Sequence, residues 1–231
     1  MFTQKHLRVA TTAERVFYEG TLYPLQDTAL SLIQTNRFYL SGGTALSRWH
    51  YEHRYSDDLD FFFRGDIFPK EEFLVVYREI VARLAAHFVV EAAIDGDYFK
   101  RIFILHNGTS LKIEFIFENY PHCGEFLEFN DCLIDSSENI AVNKITAVQD
   151  RKTAKDFVDL FFLLTDYELD LLLLGATKKI VPLDYEGTVM AFADSAPEGI
   201  ALLKLPLTAD ELNQFSRSLI QRLLNNARAE K

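Results

Sequence analysis

The spacing of hydrophobic positions predicts a mixed pattern of helices and strands over the first half of the chain. Residues 11–36 carry Leu25, Leu30 and Ile33 at helix-like intervals. From Pro69 to Phe88, apolar residues recur every three or four positions, which is typical of an amphipathic helix. Alternating and aromatic-rich segments indicate strands. The predicted strands cover residues 38–40, 57–63, 89–94, 98–105 and 111–117, and a further helix is predicted over 44–50.

Two turn dipeptides, Asp95-Gly96 and Asn107-Gly108, separate the last three predicted strands. Both dipeptides favour a tight hairpin turn with positive φ angles, so an antiparallel meander is expected. From residue 136 onward the pattern is helical with short breaks. The predicted fold class is therefore α+β, with a mixed β-sheet core, flanking helices and a helical C-terminal domain. The boundary near residue 130 gives predicted domains over residues 1–130 and 131–231.

Composition and charge narrow the class of protein. The 231 residues are 48% hydrophobic, which is enough for a full core, and the net charge of −10 argues against a broad basic surface for duplex nucleic acid. The two cysteines, Cys123 and Cys132, are too few for a disulfide scaffold. The N-terminus has no secretory apolar core, and about 18 consecutive apolar residues occur nowhere. We therefore expect a cytoplasmic protein without a membrane span.

Three carboxylates are candidate metal ligands. Asp58 and Asp60 lie two positions apart on a predicted strand, so their side chains leave the same face, with α-carbons roughly 6.6 Å apart, whereas Asp57 points to the other face. On the strand predicted over 111–117, Glu114 lies opposite the apolar positions, and a meander can bring it beside the pair. Hard oxygen ligands of this kind hold Mg²⁺ ions in phosphoryl and nucleotidyl transfer.

A glycine pair, Gly42-Gly43, follows one predicted strand and precedes a helix. Free backbone N–H groups at such a helix start can hold a triphosphate, and the hydroxyls of Ser41 and Thr44 would add contacts. The alternative is an ordinary strand-to-helix turn. The spacing is neither that of a Walker loop nor that of a dinucleotide-binding fingerprint.

Four motifs in the same order resemble the AbiEii/AbiGii-type toxin nucleotidyltransferases of the polymerase-β-like superfamily. They span residues 39 to 160, about half of the chain. They are Tyr-Leu-Ser-Gly-Gly-Thr-Ala-Leu at 39–46, His-Arg-Tyr-Ser-Asp-Asp-Leu-Asp-Phe-Phe at 53–62, Lys-x-x-Ala-x-x-x-Arg at 144–151 and Lys-Asp-x-x-Asp-Leu at 155–160.

The resemblance implies transfer of a nucleoside monophosphate from an NTP, with release of pyrophosphate and with Mg²⁺ or Mn²⁺ as cofactor. It implies a mixed sheet that carries the metal site and a helical domain that helps to bind the nucleotide. By the same resemblance, Asp58 and Asp60 are metal ligands, Gly42, Gly43 and Thr44 lie near the phosphates, and Lys144 and Arg151 face the triphosphate. Some family members modify the acceptor end of tRNA and act as toxins neutralised by a separately encoded antitoxin. A tRNA acceptor and a cognate antitoxin are therefore candidate partners.

The helical motifs also have a direct physical interpretation. Lys144 and Arg151 are seven residues apart on one predicted helix, so they share a face that suits a polyphosphate, although a solvated helix face is the simpler alternative. Asp156 and Asp159 either take part in the site, by orienting Lys144 or Arg151, contacting the nucleotide or assisting the acceptor hydroxyl, or they cap the helix or pair with nearby lysines locally. Arg54 and Ser56 are expected to support the Asp-bearing strand, and His50 and His53 to have structural roles.

Two other functions are compatible with the same residues. The chain could be an NTP-binding module that acts through a protein partner without turnover, but a retired site has no need for mutually repelling carboxylates. Alternatively, the chain could be the same class of enzyme with a protein hydroxyl or a small molecule as acceptor. The first hypothesis assigns catalytic roles to Asp58, Asp60, Glu114, Lys144 and Asp156, and nucleotide binding to Ser41, Gly42, Gly43, Thr44, Lys144 and Arg151.

Overall fold

A computed structural model describes residues 1–147, 153–179, 186, 188–190 and 197–229 of the chain. Two stretches, Tyr18–Leu22 and Leu46–His50, are π-helical. The helices are α1 (Thr12–Phe17), α2 (Tyr23–Ile33), α3 (Gly42–Ala45), α4 (Lys70–Ala85), α5 (Ser137–Ala147), α6 (Ala154–Asp166), α7 (Leu169–Thr177) and α8 (Ala209–Ala229). The strands are β1 (Leu7–Val9), β2 (Thr35–Ser41), β3 (Leu59–Arg64), β4 (Val89–Asp95), β5 (Phe99–His106), β6 (Thr109–Glu118), β7 (Leu127–Phe129), β8 (Cys132–Ile134) and β9 (Ala201–Leu203).

Contacts between residues divide the chain into two units, and neither is a contiguous stretch of sequence. Thr11–His50 and Ser56–Ser136 form what we call the sheet unit. Met1–Ala10, Tyr51–Tyr55 and Ser137–Lys231 form the helical unit. The domains predicted from sequence, 1–130 and 131–231, are contiguous, so the two divisions differ in the placement of the N-terminal strand and of the short segment before the Asp-x-Asp motif.

The sheet unit is built around seven strands in the order β4-β5-β6-β3-β2-β8-β7. Strands β4, β5 and β6 are antiparallel neighbours, which confirms the predicted meander. The sheet is mixed because β3 pairs in parallel with β6, and β2 pairs in parallel with β8. The predicted α+β class with a mixed sheet and flanking helices is therefore confirmed.

Side chains alternate along β3 between the core and the opposite face of the sheet. Leu59, Phe61 and Phe63 are buried, whereas Asp60 and the residues that alternate with them are only partly covered. The rings of Phe61 and Phe63 join an aromatic core, and α4 adds a face of four buried residues to the unit. The buried residues of α4 are Phe73, Tyr77, Ile80 and Leu84. The core therefore lies on one face of the sheet and leaves the other face available to polar side chains.

Three element bounds differ from the sequence prediction near the candidate site. Strand β2 begins at Thr35 and replaces the end of the helix predicted over 11–36. Helix α3 begins at Gly42 instead of Thr44. Strand β3 begins at Leu59, so Asp58 immediately precedes the strand. These shifts are small because local sequence sets the type of an element more firmly than its ends.

In the helical unit, α5 packs against α6 and α7, and α8 packs against α6. Strand β1 pairs in parallel with β9. Within the described residues, no helix combines the length and the apolar character that are needed to cross a membrane.

Close packing of α5 against α7 requires a glycine. A Cβ atom on Gly175 would lie 2.7 Å from Cγ2 of Val142, a buried side chain with little freedom to move. The absence of a side chain at position 175 therefore sets how closely these helices approach.

We expect Gly175→Ala to lower the free energy of unfolding by about 1 kcal/mol, because overpacking outweighs the gain in helix propensity. In a Val142→Ala background the sign should reverse, since the missing methyl groups leave room for the new Cβ. Urea unfolding of the four proteins of this double-mutant cycle measures the coupling. An equal effect of Gly175→Ala in both backgrounds would contradict this account of the packing.

Candidate active site

The polar face of the sheet brings the three predicted carboxylates together. Asp60 on β3 is the direct register partner of Glu114 on β6 and of Ser41 on β2. Asp58 enters the same group, because its Oδ2 lies 2.8 Å from the ammonium nitrogen of Lys112, which also lies 3.0 Å from Oε1 of Glu114. Alternation places Asp58 and Asp60 on one face of the sheet, and the parallel pairing of β3 with β6 brings Glu114 beside them.

Two cations compensate this acidic group. Besides Lys112, Arg101 on β5 donates to Oε1 of Glu114 through Nε at 2.7 Å and approaches it through Nη2 at 2.6 Å. Arg101 is the register partner of Glu114 on the antiparallel side of β6. Neither cation belongs to the motifs recognised in the sequence. Alternation along β5 and β6 could have identified both as neighbours of Glu114, because it points Arg101 and Lys112 to the same face as Glu114.

The two strand carboxylates have opposite pKa shifts. Burial and the charges of Glu114 and Asp58 raise the pKa of Asp60 to about 7. Burial would also raise the pKa of Glu114, but Lys112 and Arg101 more than offset burial and hold that pKa below its usual range. Asp60 is therefore the carboxylate in this group whose negative charge is least compensated by neighbouring side chains.

The donor chemistry of this group suits a hard divalent cation. Among the described residues, no three side chains of the His, Cys, Asp and Glu types are already arranged as a complete metal site. Asp58 and Asp60 nevertheless offer carboxylate oxygens on one face, and burial, together with the neighbouring negative charges of Glu114 and Asp58, raises the pKa of Asp60, effects that a bound cation would offset. Glu114 lies beside them, but its Oε1 is already bonded by Arg101 and Lys112.

The glycine turn borders the carboxylates directly. Gly42 has a φ of +69°, and a Cβ atom there would lie 2.5 Å from Oδ2 of Asp60. The hydroxyl of Thr44 donates to the backbone carbonyl of Asp58, and the hydroxyl of Ser41 donates to the carboxylate of Asp135. Both hydroxyl donors are thus used within the protein, where they fix the turn against the Asp-x-Asp segment, so the predicted phosphate contacts depend on the backbone of the turn.

Asp135 is a buried residue of the site region that the sequence analysis did not single out. Its Oδ1 lies 2.8 Å from Nε2 of His122, and its backbone carbonyl lies 2.8 Å from Nε2 of His50. With the bond from Ser41, Asp135 contacts both ends of the segment 41–50 that contains the glycine turn. It follows β8, the parallel neighbour of β2, and an acidic residue after such a strand is the signal that could have identified it.

The remaining described candidates, Lys144 and Asp156, belong to the helical unit. The ammonium nitrogen of Lys144 lies 2.7 Å from Oδ1 of Asp156 and 2.6 Å from Oδ2 of Asp159, and all three side chains are buried. Arg54 binds both oxygens of Asp159, at 2.6 and 2.9 Å, and Nε2 of His53 lies 2.8 Å from Oδ1. Burial would raise the pKa of Asp159, but Arg54 and Lys144 hold it well below its usual range.

The contacts of the helical unit bear on three of the sequence predictions. Arg54 was expected to support the Asp-bearing strand, but its guanidinium binds Asp159 on α6 within the helical unit. Both acids contact the ammonium of Lys144, as one alternative expected, and Asp156 also takes part in the local cap at the start of α6, where the hydroxyl of Thr153 donates to its carboxylate. Arg151 lies outside the described residues, so its predicted role in nucleotide binding stays a prediction.

Solved structures share this fold. The crystal structure of JHP933 from Helicobacter pylori superimposes with a TM-score of 0.56 at 20% identity, covering 96% of this chain and 97% of that chain. MenT4, the nucleotidyltransferase toxin Rv2826c from Mycobacterium tuberculosis H37Rv, gives a TM-score of 0.61 at 18% identity, covering 88% of this chain and 82% of that chain. The fold of this chain is thus similar to the folds of JHP933 and of MenT4.

The sequence comparison identifies the family itself. Residues 27–226 match the family model described as nucleotidyl transferase AbiEii toxin of type IV toxin–antitoxin systems. This chain belongs to that AbiEii family, which confirms the resemblance found in its motifs. An uncharacterised protein of Aquifex aeolicus (strain VF5) is 33% identical over 149 residues. That match spans 63% of this chain and 66% of the relative, just under two thirds of the relative's length.

The contact between Gly42 and Asp60 predicts a position-specific cost of substitution. Gly42→Ala and Gly108→Ala both place alanine at positive φ, at +69° and +79°, which costs about 1–2 kcal/mol of stability. Only Gly42→Ala also forces its Cβ against Asp60, because no heavy atom lies within 4 Å of the Gly108 position. We expect Gly42→Ala to lose at least about 1 kcal/mol more in urea unfolding.

A second variant isolates the cause. In an Asp60→Ala background, Gly42→Ala should cost no more than Gly108→Ala does, because the carboxylate that blocks the new Cβ is gone. If Gly42→Ala and Gly108→Ala cost the same in the wild-type background, steric contact with Asp60 does not constrain the turn.

The raised pKa of Asp60 predicts that this residue reduces the stability of the metal-free protein at neutral pH. An unfolded Asp loses its proton near pH 4, whereas Asp60 in the fold retains its proton up to about pH 7, so stability falls as pH rises through this window. Asp60→Asn should therefore raise the free energy of unfolding at pH 8. A gain of roughly 2 kcal/mol is expected, less than the full shift implies because the side chain is only partly buried.

Unfolding in a chelating buffer at pH 4 and pH 8 measures this effect. At pH 4 the variant and the wild type should agree to within about 0.5 kcal/mol, since Asp60 is protonated in the fold and about half protonated in the unfolded chain. The exposed Asp66, changed to Asn, serves as the control and should show little change at either pH. A destabilised Asp60→Asn at pH 8 would contradict the prediction.

Proposed function

We propose that this chain is a metal-dependent nucleotidyltransferase that transfers a nucleoside monophosphate from an NTP to an acceptor hydroxyl. The observation that carries the proposal is the juxtaposition of Asp58, Asp60 and Glu114 on the polar face of the sheet, beside the turn at Gly42. Membership of the AbiEii family supports the same reaction class. Burial and the neighbouring carboxylates raise the pKa of Asp60, and keeping an acid in such surroundings costs stability, which is expected of a functional site.

In this reaction the oxygen of the acceptor hydroxyl forms a bond to the α-phosphorus of the NTP. The bond from the α-phosphorus to the bridging oxygen breaks, pyrophosphate leaves, and the acceptor proton passes to solvent. Asp58 and Asp60 would hold Mg²⁺ or Mn²⁺, and such an ion supplies positive charge to the phosphate oxygens. The backbone at Gly42 and Gly43 would approach the phosphates closely because neither residue has a side chain.

Lys144, Arg151 and Asp156 enter the proposal through their motifs. Lys144 and Arg151 would bind the triphosphate, as the resemblance implies. Asp156 is then a positioning residue, because its carboxylate bonds the ammonium of Lys144 and the hydroxyl of Thr153. Buried and bonded in this way, the Lys144 ammonium has little freedom to reorient.

The proposed partners are an RNA acceptor, namely tRNA, and a separately encoded antitoxin, and the chain would act in the cytoplasm. A net charge of −10 requires that RNA binding use a local basic surface, so transfer to RNA should weaken steeply as salt rises. A protein or small-molecule acceptor would lack that dependence on salt.

The reaction can be tested with each labelled NTP in turn, Mg²⁺ and total RNA. We expect label on a tRNA-sized acceptor with one NTP or a subset of NTPs, and at least about a thousand-fold slower transfer for Asp58→Ala and Asp60→Ala, because each removes a metal ligand. Asp57→Asn is a matched control in the same motif. Asp57 accepts a hydrogen bond from Tyr18, and the variant should keep its transfer rate per folded molecule.

The outcome also separates the two classes of function. If no acceptor is labelled, and calorimetry shows NTP binding that is unchanged by Asp60→Asn, the chain is a binding module and the proposal is wrong. If label appears on protein instead of RNA, the reaction class holds and the proposed tRNA acceptor is wrong.

A further inference from the structure

Glu114 is the carboxylate of the site that is most heavily bonded by cations. Three donor atoms converge on its Oε1: the ammonium of Lys112 at 3.0 Å, and Nε and Nη2 of Arg101 at 2.7 and 2.6 Å. The positions of these partners are fixed by strand pairing, since Arg101 is opposite Glu114 on β5 and Lys112 is two residues before it on β6. Glu114 is therefore bonded by two fixed positive charges before any substrate arrives.

Lys112 lies between two carboxylates that a second divalent cation would need to share. Its ammonium is 2.8 Å from Oδ2 of Asp58 and 3.0 Å from Oε1 of Glu114. In two-metal sites, carboxylates bridge paired ions roughly 4 Å apart. A divalent ion bound by both Asp58 and Glu114 would lie against the Lys112 ammonium and would also repel the Arg101 guanidinium.

Asp60 differs from Glu114 in its contacts with positively charged side chains. Its carboxylate lies opposite Glu114 across the paired strands, but the ion pairs that Lys112 and Arg101 form within the described residues are with Asp58 and Glu114, and none includes Asp60. Asp58 is the most exposed of the three, with 39% of its side chain accessible. Within the described residues, Asp60 is thus the carboxylate of this group without an ion pair, and Asp58 is the one with most access to solvent.

We propose, on the basis of the proposed function, that the site binds one divalent cation, on Asp58 and Asp60, and that the Lys112 ammonium takes the place of a second one. Glu114 is then a positioning residue for Lys112 and not a metal ligand. This assigns Lys112 a role that none of the recognised motifs gives it, and it revises the expectation that Glu114 completes the metal site.

Manganese binding tests this assignment without relying on transfer activity. Mn²⁺ is titrated into the full chain, and bound ions are counted by equilibrium dialysis and electron paramagnetic resonance. Wild type should bind one Mn²⁺ per chain with the spectrum of an isolated ion. Lys112→Met should bind two, with the spin coupling of neighbouring ions, because the ammonium between Asp58 and Glu114 is gone. Lys112→Arg keeps the charge and should still bind one.

Lys70→Met is the matched control for loss of a lysine. Lys70 begins α4, and its ammonium lies over the ring of Tyr98, so its removal should leave the count at one ion. Circular dichroism checks the fold of each variant. If Lys112→Met does not fold, Lys112→Gln replaces it in the same titration.

Substitution of the acids gives an independent test in the presence of Lys112. Glu114→Gln should change the affinity for Mn²⁺ by less than about three-fold, whereas Asp60→Asn should weaken it at least about a hundred-fold, because only Asp60 is a ligand. A hundred-fold loss in Glu114→Gln would overturn the proposal, and so would a single bound ion in folded Lys112→Met or Lys112→Gln.

The failures of the two proposals are distinguishable. Two coupled Mn²⁺ ions on wild type, with intact nucleotidyl transfer, would overturn the role of Lys112 and leave the proposed function standing. Absence of Mn²⁺ binding in wild type and in every variant would overturn this inference together with the metal site on which it rests.

Discussion

Asp60 and Glu114 face each other on adjacent parallel strands, and the polar face of the sheet unit is organised around this like-charge pair. Two carboxylates at directly paired positions of adjacent strands repel each other, so neighbouring groups must compensate for their negative charge. Arg101 and Lys112 compensate Glu114, and the pKa of Asp60 rises to about 7. The same crowding explains Gly42, because a side chain at that position would collide with the Asp60 carboxylate.

In the helical unit, the buried acids are paired with positively charged side chains. Asp159 is fully buried and bonded by Arg54, His53 and Lys144, and its pKa stays well below the usual range. Each charge there has a partner of the opposite sign, so the network behaves as a fixed scaffold whose disruption would strand a buried charge. Asp60, by contrast, has no ion pair within the described residues, and burial and neighbouring carboxylates raise its pKa. Under the proposed function, Asp60 would bind a cation, whereas the paired charges of the helical unit hold one another in place.

The turn at residues 41–45 is held mainly through contacts of its side chains with the protein. The Ser41 hydroxyl bonds Asp135, the Thr44 hydroxyl bonds the Asp58 carbonyl, and His50 at the far end of the segment contacts the carbonyl of Asp135. These contacts occupy both hydroxyls, so under the proposed function the backbone of the turn is the part left to approach the phosphates. A backbone fixed in this way would present the same groups to any NTP and would not by itself select the base.

The sequence by itself determined the meander, the long amphipathic helix α4 and the order of the motifs, because hydrophobic alternation and turn residues act over a few neighbouring positions. It also predicted that Asp58, Asp60 and Glu114 share one face. It did not predict the three-residue strands β1, β7, β8 and β9, the last of which lies in the half predicted to be helical, because such short strands are defined by their pairing partners. Tertiary structure alone decided which partners meet that face: Glu114 opposite Asp60, Arg101 and Lys112 on Glu114, and Asp135 under Ser41. It likewise joined Arg54 to Asp159, residues 105 positions apart. Local periodicity does not predict such pairings, because they depend on strand order and on the path of the chain between strands.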